Sequence, residues 1–586
     1  MRILLISSAF SGLTQRFYTE LDDAGYTVSV TLHLGDIQAL RNAVEDFQPS
    51  LIICPYLTRR LPADIYQNYL CLIVHPGIKG DRGPSSLDWA IQSNARQWGV
   101  SLLAAAEEMD AGDIWSHKTF PMRICTKSNL FYHEVTQAAI ACLWEALSFF
   151  SAPSFHPEVQ DYSRTDYQGQ TLPMMCQAER ALDWKKHSTA EILRRIHAAD
   201  GVPGVLDNIA GKSVYLFNAH AEPNLRGKPG TLIAQCEQAI CMATCDGAIW
   251  LGHLQEKLAN GSKGIKLPAI RVLDGALHTP SKGWFDKKLK TFSIDYQQPG
   301  RQYPCQEVWY ELSGDAAYLY FAFHNGAMST EQCQLLLNVY RHVAALPVKA
   351  IVLMGGDRFY SNGIHLNHIE AASSPADESW LNINAIDDLI LQIINTPDKL
   401  TVSALRGSAG AGGAILALAA DWVYARQGAI LNPHYKKMGG LFGSEYWTYL
   451  LPKRVGTDIA LQLTEQCLPI SADRARHLGM VDKVLDQHLD LFTAQVKHLV
   501  DAFLAEPSAL RQHLADKAKT RCQDEAHKPL AAYRQDELAK MYENFYGSDE
   551  YNQARTLFVR KLCGKTQCNQ SCMPAVKLER ALDAVT

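Results

Sequence analysis

His75 ends the apolar run CLIVH (71–75) and opens the glycine-rich loop PGIKGDRGP (76–84). Thirty-five residues later, the segment EEMDAGDIW (107–115) places Asp110 in a glycine turn directly after the apolar stretch SLLAA. An imidazole beside a carboxylate is an acid/base pair, because the carboxylate orients the ring and favours its charged form. A strand-end histidine can equally be a satisfied core residue or a metal ligand. The aspartate turn is what favours the catalytic reading.

A second concentration of chemistry lies in the C-terminal half. KAIVLMGGDRFYSNGIHL (349–366) runs from an apolar strand into an Asn362-Gly363 turn, and ALRGSAGAGGAILALAAD (404–421) passes from a strand through a small-residue turn into a helix beginning near Gly412. Backbone N–H groups at a helix start are unpaired and polarised, so two of them from separate turns can hold a developing thioester oxyanion. Tight helix packing through small residues is the plain alternative. Nearby, NPHYKKMGGLFGSEYWTYLLPKR (432–454) carries Tyr435, Lys436 and Glu445. A tyrosine and a glutamate beside such a hole can act as acid and base; a surface loop with a satisfied tyrosine is the bland reading.

The elements that must position these groups follow from periodicity. Residues 1–150 alternate apolar strands (RILLIS, YTVSVTL, LIICPYL, CLIVH, VSLLAA) with amphipathic helices, the first through Thr14–Gly25. Continuous apolar strands with intervening helices predict a parallel, doubly covered α/β sheet, whose ligands bind beyond the carboxyl ends of the strands. The expected boundaries are an α/β domain over 1–165, a small β-rich, barrel-like module over 178–275, a linker over 276–304, a second α/β domain with a helical C-terminus over 305–562, and a tail over 563–586.

The chain has 586 residues, too many for one core, and its 47% hydrophobic and 20% charged content is ordinary for globular domains. A net charge of −5 gives no general field for nucleic acid. No uninterrupted apolar stretch of about 18 residues predicts a membrane span, and no export signal is visible. The 15 scattered cysteines then point to a reducing, cytoplasmic setting. Two clusters share the spacing C-x4-C-x3-C, Cys236/Cys241/Cys245 and Cys563/Cys568/Cys572, but neither has the paired CxxC of a zinc ribbon. Small buried hydrophobes explain the first. The second sits in a polar tail where metal binding stays open, and no metal is assigned to the chemistry.

Residues 73–114 resemble the folate-dependent formyltransferases of the methionyl-tRNA and glycinamide ribonucleotide type, and the likeness extends over roughly the first 270 residues through DW (183–184), GVPG (201–204) and KPGT (228–231). The resemblance implies 10-formyltetrahydrofolate as formyl donor, His75 as general acid/base and Asp110 as the residue that polarises it. The family's N-x-H asparagine is Ile73 here. Losing an oxyanion donor costs about 100- to 1,000-fold in rate, a demand that a thiol acceptor would lower relative to an amine. Residues 184–275 hold 11 Lys/Arg against 8 Asp/Glu, a thin excess for gripping transfer RNA.

Residues 307–500 resemble the enoyl-CoA hydratase/isomerase (crotonase) superfamily, through the two glycine turns and PISADRARHLGMVDKVL (469–485). That likeness implies coenzyme A as the ligand, the N–H groups of Ile364 and Gly412 as the oxyanion hole, and Gly363 and Gly413 as neighbouring contacts. The hydratase acids are missing: Ile415 and His434 occupy their positions. Arg534 and Arg555 in the C-terminal helices, and Arg16 in the first loop, are either solvated charges or cofactor-phosphate ligands.

The domain pair, with GSEYWTYLLP and the helical end YRQDELAKMYENFYGSDEYNQARTLFV (533–559), resembles the HypX/HoxX family of nickel–iron hydrogenase maturation proteins over nearly the whole chain. That resemblance implies formyl transfer to coenzyme A, then decarbonylation of formyl-CoA to carbon monoxide for the hydrogenase iron. In this scheme Glu445 takes the formyl proton and Tyr435 assists the sulfur. The expected partners are small-molecule substrates and hydrogenase maturation proteins. Two alternatives stand beside it: an amine formyltransferase fused to a degenerate crotonase, and a non-catalytic maturation scaffold.

Overall fold

The computed structural model describes residues 1–152, 154–277 and 285–560. The chain forms two compact units, Met1–Ser262 with Pro268–Thr291, and Phe292–Cys563 with Lys263–Leu267. The C-terminal cysteine cluster lies outside the described residues.

The first unit opens on a six-stranded sheet in the order Thr27–Leu32, Arg2–Ser7, Leu51–Cys54, Cys71–His75, Gln97–Ala104, Ile114–Pro121. Ile3 to Ile6 and Leu51 to Cys54 are buried on both faces, which is why these strands read as unbroken apolar runs. The first helix spans Gly12–Asp23, two residues earlier than its periodicity suggests, because Ser11 caps it by accepting from Thr14 N.

The sheet is parallel only over its first four strands. Gln97–Ala104 runs antiparallel to Cys71–His75, pairing Ser101 with His75 and Ala104 with Leu72. An antiparallel strand carries the chain away from the histidine, so the Asp110 turn starts at the far end and must fold back to reach it.

Behind this sheet comes a helix, Thr189–Ala198, closed by a Ser188/Glu191 capping box, and then an antiparallel β module. Its strands run in the order Phe285–Phe292, Leu232–Cys236, Ala239–Ala243, Ala248–Lys257, Lys212–Glu222, Val205–Ile209. The expected linker over 276–304 therefore contains a strand, Phe285–Phe292, which extends the edge of this sheet. Cys236 and Cys241 are buried in adjacent strands of the module and Cys245 is exposed.

The second unit holds a six-stranded sheet ordered Val308–Ser313, Ala316–Phe321, Ala350–Leu353, Leu400–Leu405, Trp422–Arg426, Lys483–Leu485. Alternate residues of Ala316–Phe321 feed two cores: Ala317, Leu319 and Phe321 pack with the helices Thr330–Ala345 and Pro375–Ile394, while Ala316, Tyr318 and Tyr320 pack with Leu489–Leu504. Four short strands form a second sheet, Phe359–Ser361, Ser408–Gly410, Ile430–Asn432 and Ile470–Ser471. Helices Pro507–His527, Leu530–Tyr542 and Asp549–Arg560 complete the unit. Among the described residues no helix is long and apolar enough to cross a membrane.

Candidate active sites

In the first unit the imidazole of His75 is clasped between two carboxylates. Its Nε2 lies 2.8 Å from Asp81 Oδ2 and its Nδ1 3.5 Å from Asp110 Oδ2. His75 and Asp81 are 4% and 3% exposed, so this charge balance is set away from bulk water. Asp110 takes a left-handed backbone (φ +54) and anchors the loop by accepting from Gly83 N at 3.0 Å. Gly77 is required here, since a Cβ on it would collide with both His75 Nε2 and Asp81 Oδ2. Burial works against the charged ring, but the Asp81 hydrogen bond and the charges of Asp110 and Asp81 outweigh it, and the His75 pKa rises above its ordinary value.

The structure thus brings together His75 and Asp110, as the spacing suggests, and adds Asp81. The available signal for it was a lone acid in the loop GIKGDRG, six residues after the histidine. Ile73 lies two residues before His75 on the same strand face, half-buried against the core around Leu4, Ile6 and Leu40. Arg16 sits near the start of helix Gly12–Asp23 and pairs there with Glu20 at 2.5 Å.

The second site is built by two neighbouring parallel strands. Phe359–Ser361 and Ser408–Gly410 end at the same sheet edge, so the turns that follow them emerge side by side. A Cβ at Gly363 would lie 3.2 Å from Gly412 N, and one at Gly413 would collide with Ser361 O, which explains both glycines. Among the described residues neither Ile364 N nor Gly412 N donates a hydrogen bond, as an oxyanion hole requires.

Glu445 faces that edge. A Cβ on Gly412 would collide with its Oε1, while Oε2 accepts from Tyr435 OH at 2.9 Å and from Ser444 N at 3.1 Å. Both Glu445 and Tyr446 have left-handed backbones, φ +64 and +60, a strained pair for residues with side chains. Two buried carboxylates hold this segment. Asp387, from helix Pro375–Ile394, accepts from Glu445 N at 2.8 Å and from Ser444 Oγ at 2.9 Å. Glu537, from helix Leu530–Tyr542, accepts from Tyr446 N at 2.9 Å and Thr448 N at 2.8 Å.

Burial first, and the charge of Asp387 second, push Glu445 up to about 8. Burial likewise takes Asp387 to about 7, with Arg534 opposing, and Glu537 to about 8. Burial and the facing Glu445 raise Tyr435 well above its usual range. Ile415 is fully buried in the core, and burial lowers His434 to about 4.

Two expected cofactor contacts have internal partners instead. Arg534 lies 2.6 Å from Asp388 and 3.7 Å from Asp387, which makes it the counter-ion of the carboxylate cluster. Arg555 is 3% exposed, paired with Glu370 at 3.0 Å and stacked over Tyr551. Both guanidiniums are thus engaged by carboxylates of the fold, Arg555 almost without exposure. Asp387 and Glu537 escaped the sequence reading because each sits in a helix that looks amphipathic. Among the described residues no group of three or more His, Cys, Asp or Glu side chains is arranged to hold a metal.

Residues 174–264 match the formyl transferase C-terminal domain, and residues 324–565 match enoyl-CoA hydratase/isomerase. The chain is 44% identical over 566 residues to the hydrogenase maturation factor HoxX of Bradyrhizobium diazoefficiens, covering 96% of this chain and 95% of that protein. It belongs to the HypX/HoxX family of hydrogenase maturation factors. The crystal structure of HypX from Aquifex aeolicus in complex with tetrahydrofolic acid superposes with a TM-score of 0.89 at 43% identity, covering 96% of each chain. The methionyl-tRNA formyltransferase of Trichlorobacter lovleyi is 26% identical over 235 residues, 40% of this chain and 71% of that protein. This HypX/HoxX chain therefore joins formyltransferase-like and crotonase-like domains.

Proposed function

We propose that the protein makes carbon monoxide in two steps, transferring formyl from 10-formyltetrahydrofolate to the thiol of coenzyme A and then decarbonylating formyl-CoA. The Aquifex relative's tetrahydrofolic acid complex and the clasped His75 support a formyl-folate site in the first unit. Ile73, in place of an oxyanion donor, favours a thiol over an amine acceptor.

The observation that carries the second step is the buried Tyr435–Glu445 pair set against Gly412, where the hydratase acids are absent. Formyl-CoA has no α-carbon, so the enolate chemistry of crotonases cannot occur. Glu445 Oε1 removes the formyl proton while the N–H groups of Ile364 and Gly412 hold the carbonyl oxygen. As the C–S bond breaks, Tyr435 gives its proton to sulfur and recovers one from Glu445. The products are carbon monoxide and the free thiol, and the pair ends as it began. Released carbon monoxide would supply the hydrogenase iron, which makes hydrogenase maturation proteins the expected partners.

The test is to incubate the pure protein with 10-formyltetrahydrofolate and coenzyme A, trapping carbon monoxide on haemoglobin and measuring tetrahydrofolate. Release of both, dependent on coenzyme A, is expected. Tetrahydrofolate release with an amine acceptor instead, or no turnover at all, would reject this reading.

A further inference from the structure

The imidazole of His75 lies between two carboxylates: its Nε2 is hydrogen-bonded to Asp81 Oδ2 at 2.8 Å, and its Nδ1 is 3.5 Å from Asp110 Oδ2. The ring nitrogen Nε2 is therefore occupied by Asp81 and is not open to a substrate. The flanking carboxylates differ. Asp110 spends the same Oδ2 on Gly83 N, and its backbone O accepts from Gln160, so it is a structural anchor. Asp81 is bound only through Oδ2; among the described residues its Oδ1 accepts no hydrogen bond, although the residue is 3% exposed. A carboxylate held through one oxygen leaves the other open to take a proton.

Other charges around the loop are already spent. Lys79 pairs with Glu158 at 2.7 Å and Asp166 at 3.5 Å, and Arg82 pairs with Glu108 at 3.2 Å. The segment beyond Tyr167 closes the loop from outside through Gly169 N to Lys79 O and Arg82 N to Gln170 O. Asp81 thus faces the His75 ring, with Asp110 on the ring's other side.

We propose that Asp81 is the catalytic proton carrier of the formyl-transfer step, with His75 Nε2 holding its other oxygen in place. This rests on the formyl-transfer reading above and replaces the neutral imidazole with a carboxylate as the working base. Asp81 Oδ1 takes the proton of the acceptor thiol as sulfur bonds to the formyl carbon. It then delivers that proton to the folate nitrogen as the carbon–nitrogen bond breaks. One S–H and one C–N bond are exchanged for one S–C and one N–H bond, with no oxidant and no net proton.

The experiment follows coenzyme A-dependent tetrahydrofolate release against pH in the full-length protein. A carboxylate base predicts a level wild-type rate from about pH 6 to 8, whereas a neutral imidazole base predicts a fall on the acid side of about pH 7. That acid-side fall would overturn the proposal without any variant. Asp81→Asn is expected to lose about 100-fold or more near pH 7, with a deficit that shrinks towards about pH 9.5, because an alkyl thiol ionises above about pH 8.5 and then needs no base. A deficit equal at every pH would make Asp81 a purely structural residue, and an undiminished rate would remove it from the reaction; either result overturns the assignment. Wild-type protein without any coenzyme A-dependent release would reject the formyl-transfer reading and this proposal with it.

Discussion

The two sites of this chain raise the pKa of their central residue in the same direction and for opposite reasons. His75 sits between two carboxylates that favour its charged form, and they outweigh its burial. Glu445 sits in a buried cluster with Asp387 and Glu537, so its raised pKa means the carboxyl is driven toward its neutral form. Opposite charges favour the ionised form of His75 against its burial, whereas burial first, and the charge of Asp387 second, make Glu445 readier to hold a proton. A transfer step needs a fixed electrostatic frame; a decarbonylation needs a carboxylate whose basicity suits an unactivated C–H.

Mutation should separate the two sites. Glu445→Gln should cut carbon monoxide release by about 1,000-fold, and Tyr435→Phe by about 100-fold, both leaving tetrahydrofolate release intact. Haemoglobin trapping and tetrahydrofolate analysis on the same samples check it; normal carbon monoxide from both would remove the pair from the mechanism. Conversely, His75→Ala should depress tetrahydrofolate release by about 100-fold or more, while carbon monoxide from added formyl-CoA stays unchanged.

The pH dependence sharpens the contrast. A base raised to about 8 is protonated and idle at lower pH, so carbon monoxide release from formyl-CoA should rise through about pH 8 as Glu445 ionises. Asp387→Asn removes the nearest like charge and should move that midpoint to lower pH, while weakening the hold on the Ser444–Glu445 backbone. Gly412→Ala should lower carbon monoxide release by about tenfold or more, because its methyl would displace Glu445 Oε1 from the hole.

The smallest effect on turnover belongs to Arg555. Its replacement by alanine removes one of the two guanidinium partners of Glu370 and leaves Arg560 and Thr556 in place, at a cost of about 1–3 kcal/mol in stability. Denaturant unfolding should show that loss. Coenzyme A affinity should not change, since the guanidinium is already committed inside the fold.

Much of this protein is determined by the sequence alone. Unbroken apolar strands, glycine turns and the His75, Asp110, Tyr435 and Glu445 motifs are local patterns, because covalent spacing and side-chain type fix which residues can end a strand or cap a helix. The absence of the hydratase acids at Ile415 and His434 is equally plain in one dimension. Which charges face one another follows from packing, and the folded chain shows it. Packing ran Gln97–Ala104 antiparallel, folded Asp110 back to His75 and set Asp81 on the opposite ring nitrogen. It brought Asp387 and Glu537 from two distant helices to the backbone of residues 444–448, and gave Arg534 and Arg555 partners inside the fold. Electrostatic environment depends on distance and burial, and residues dozens to more than a hundred positions apart acquire both only when the chain packs.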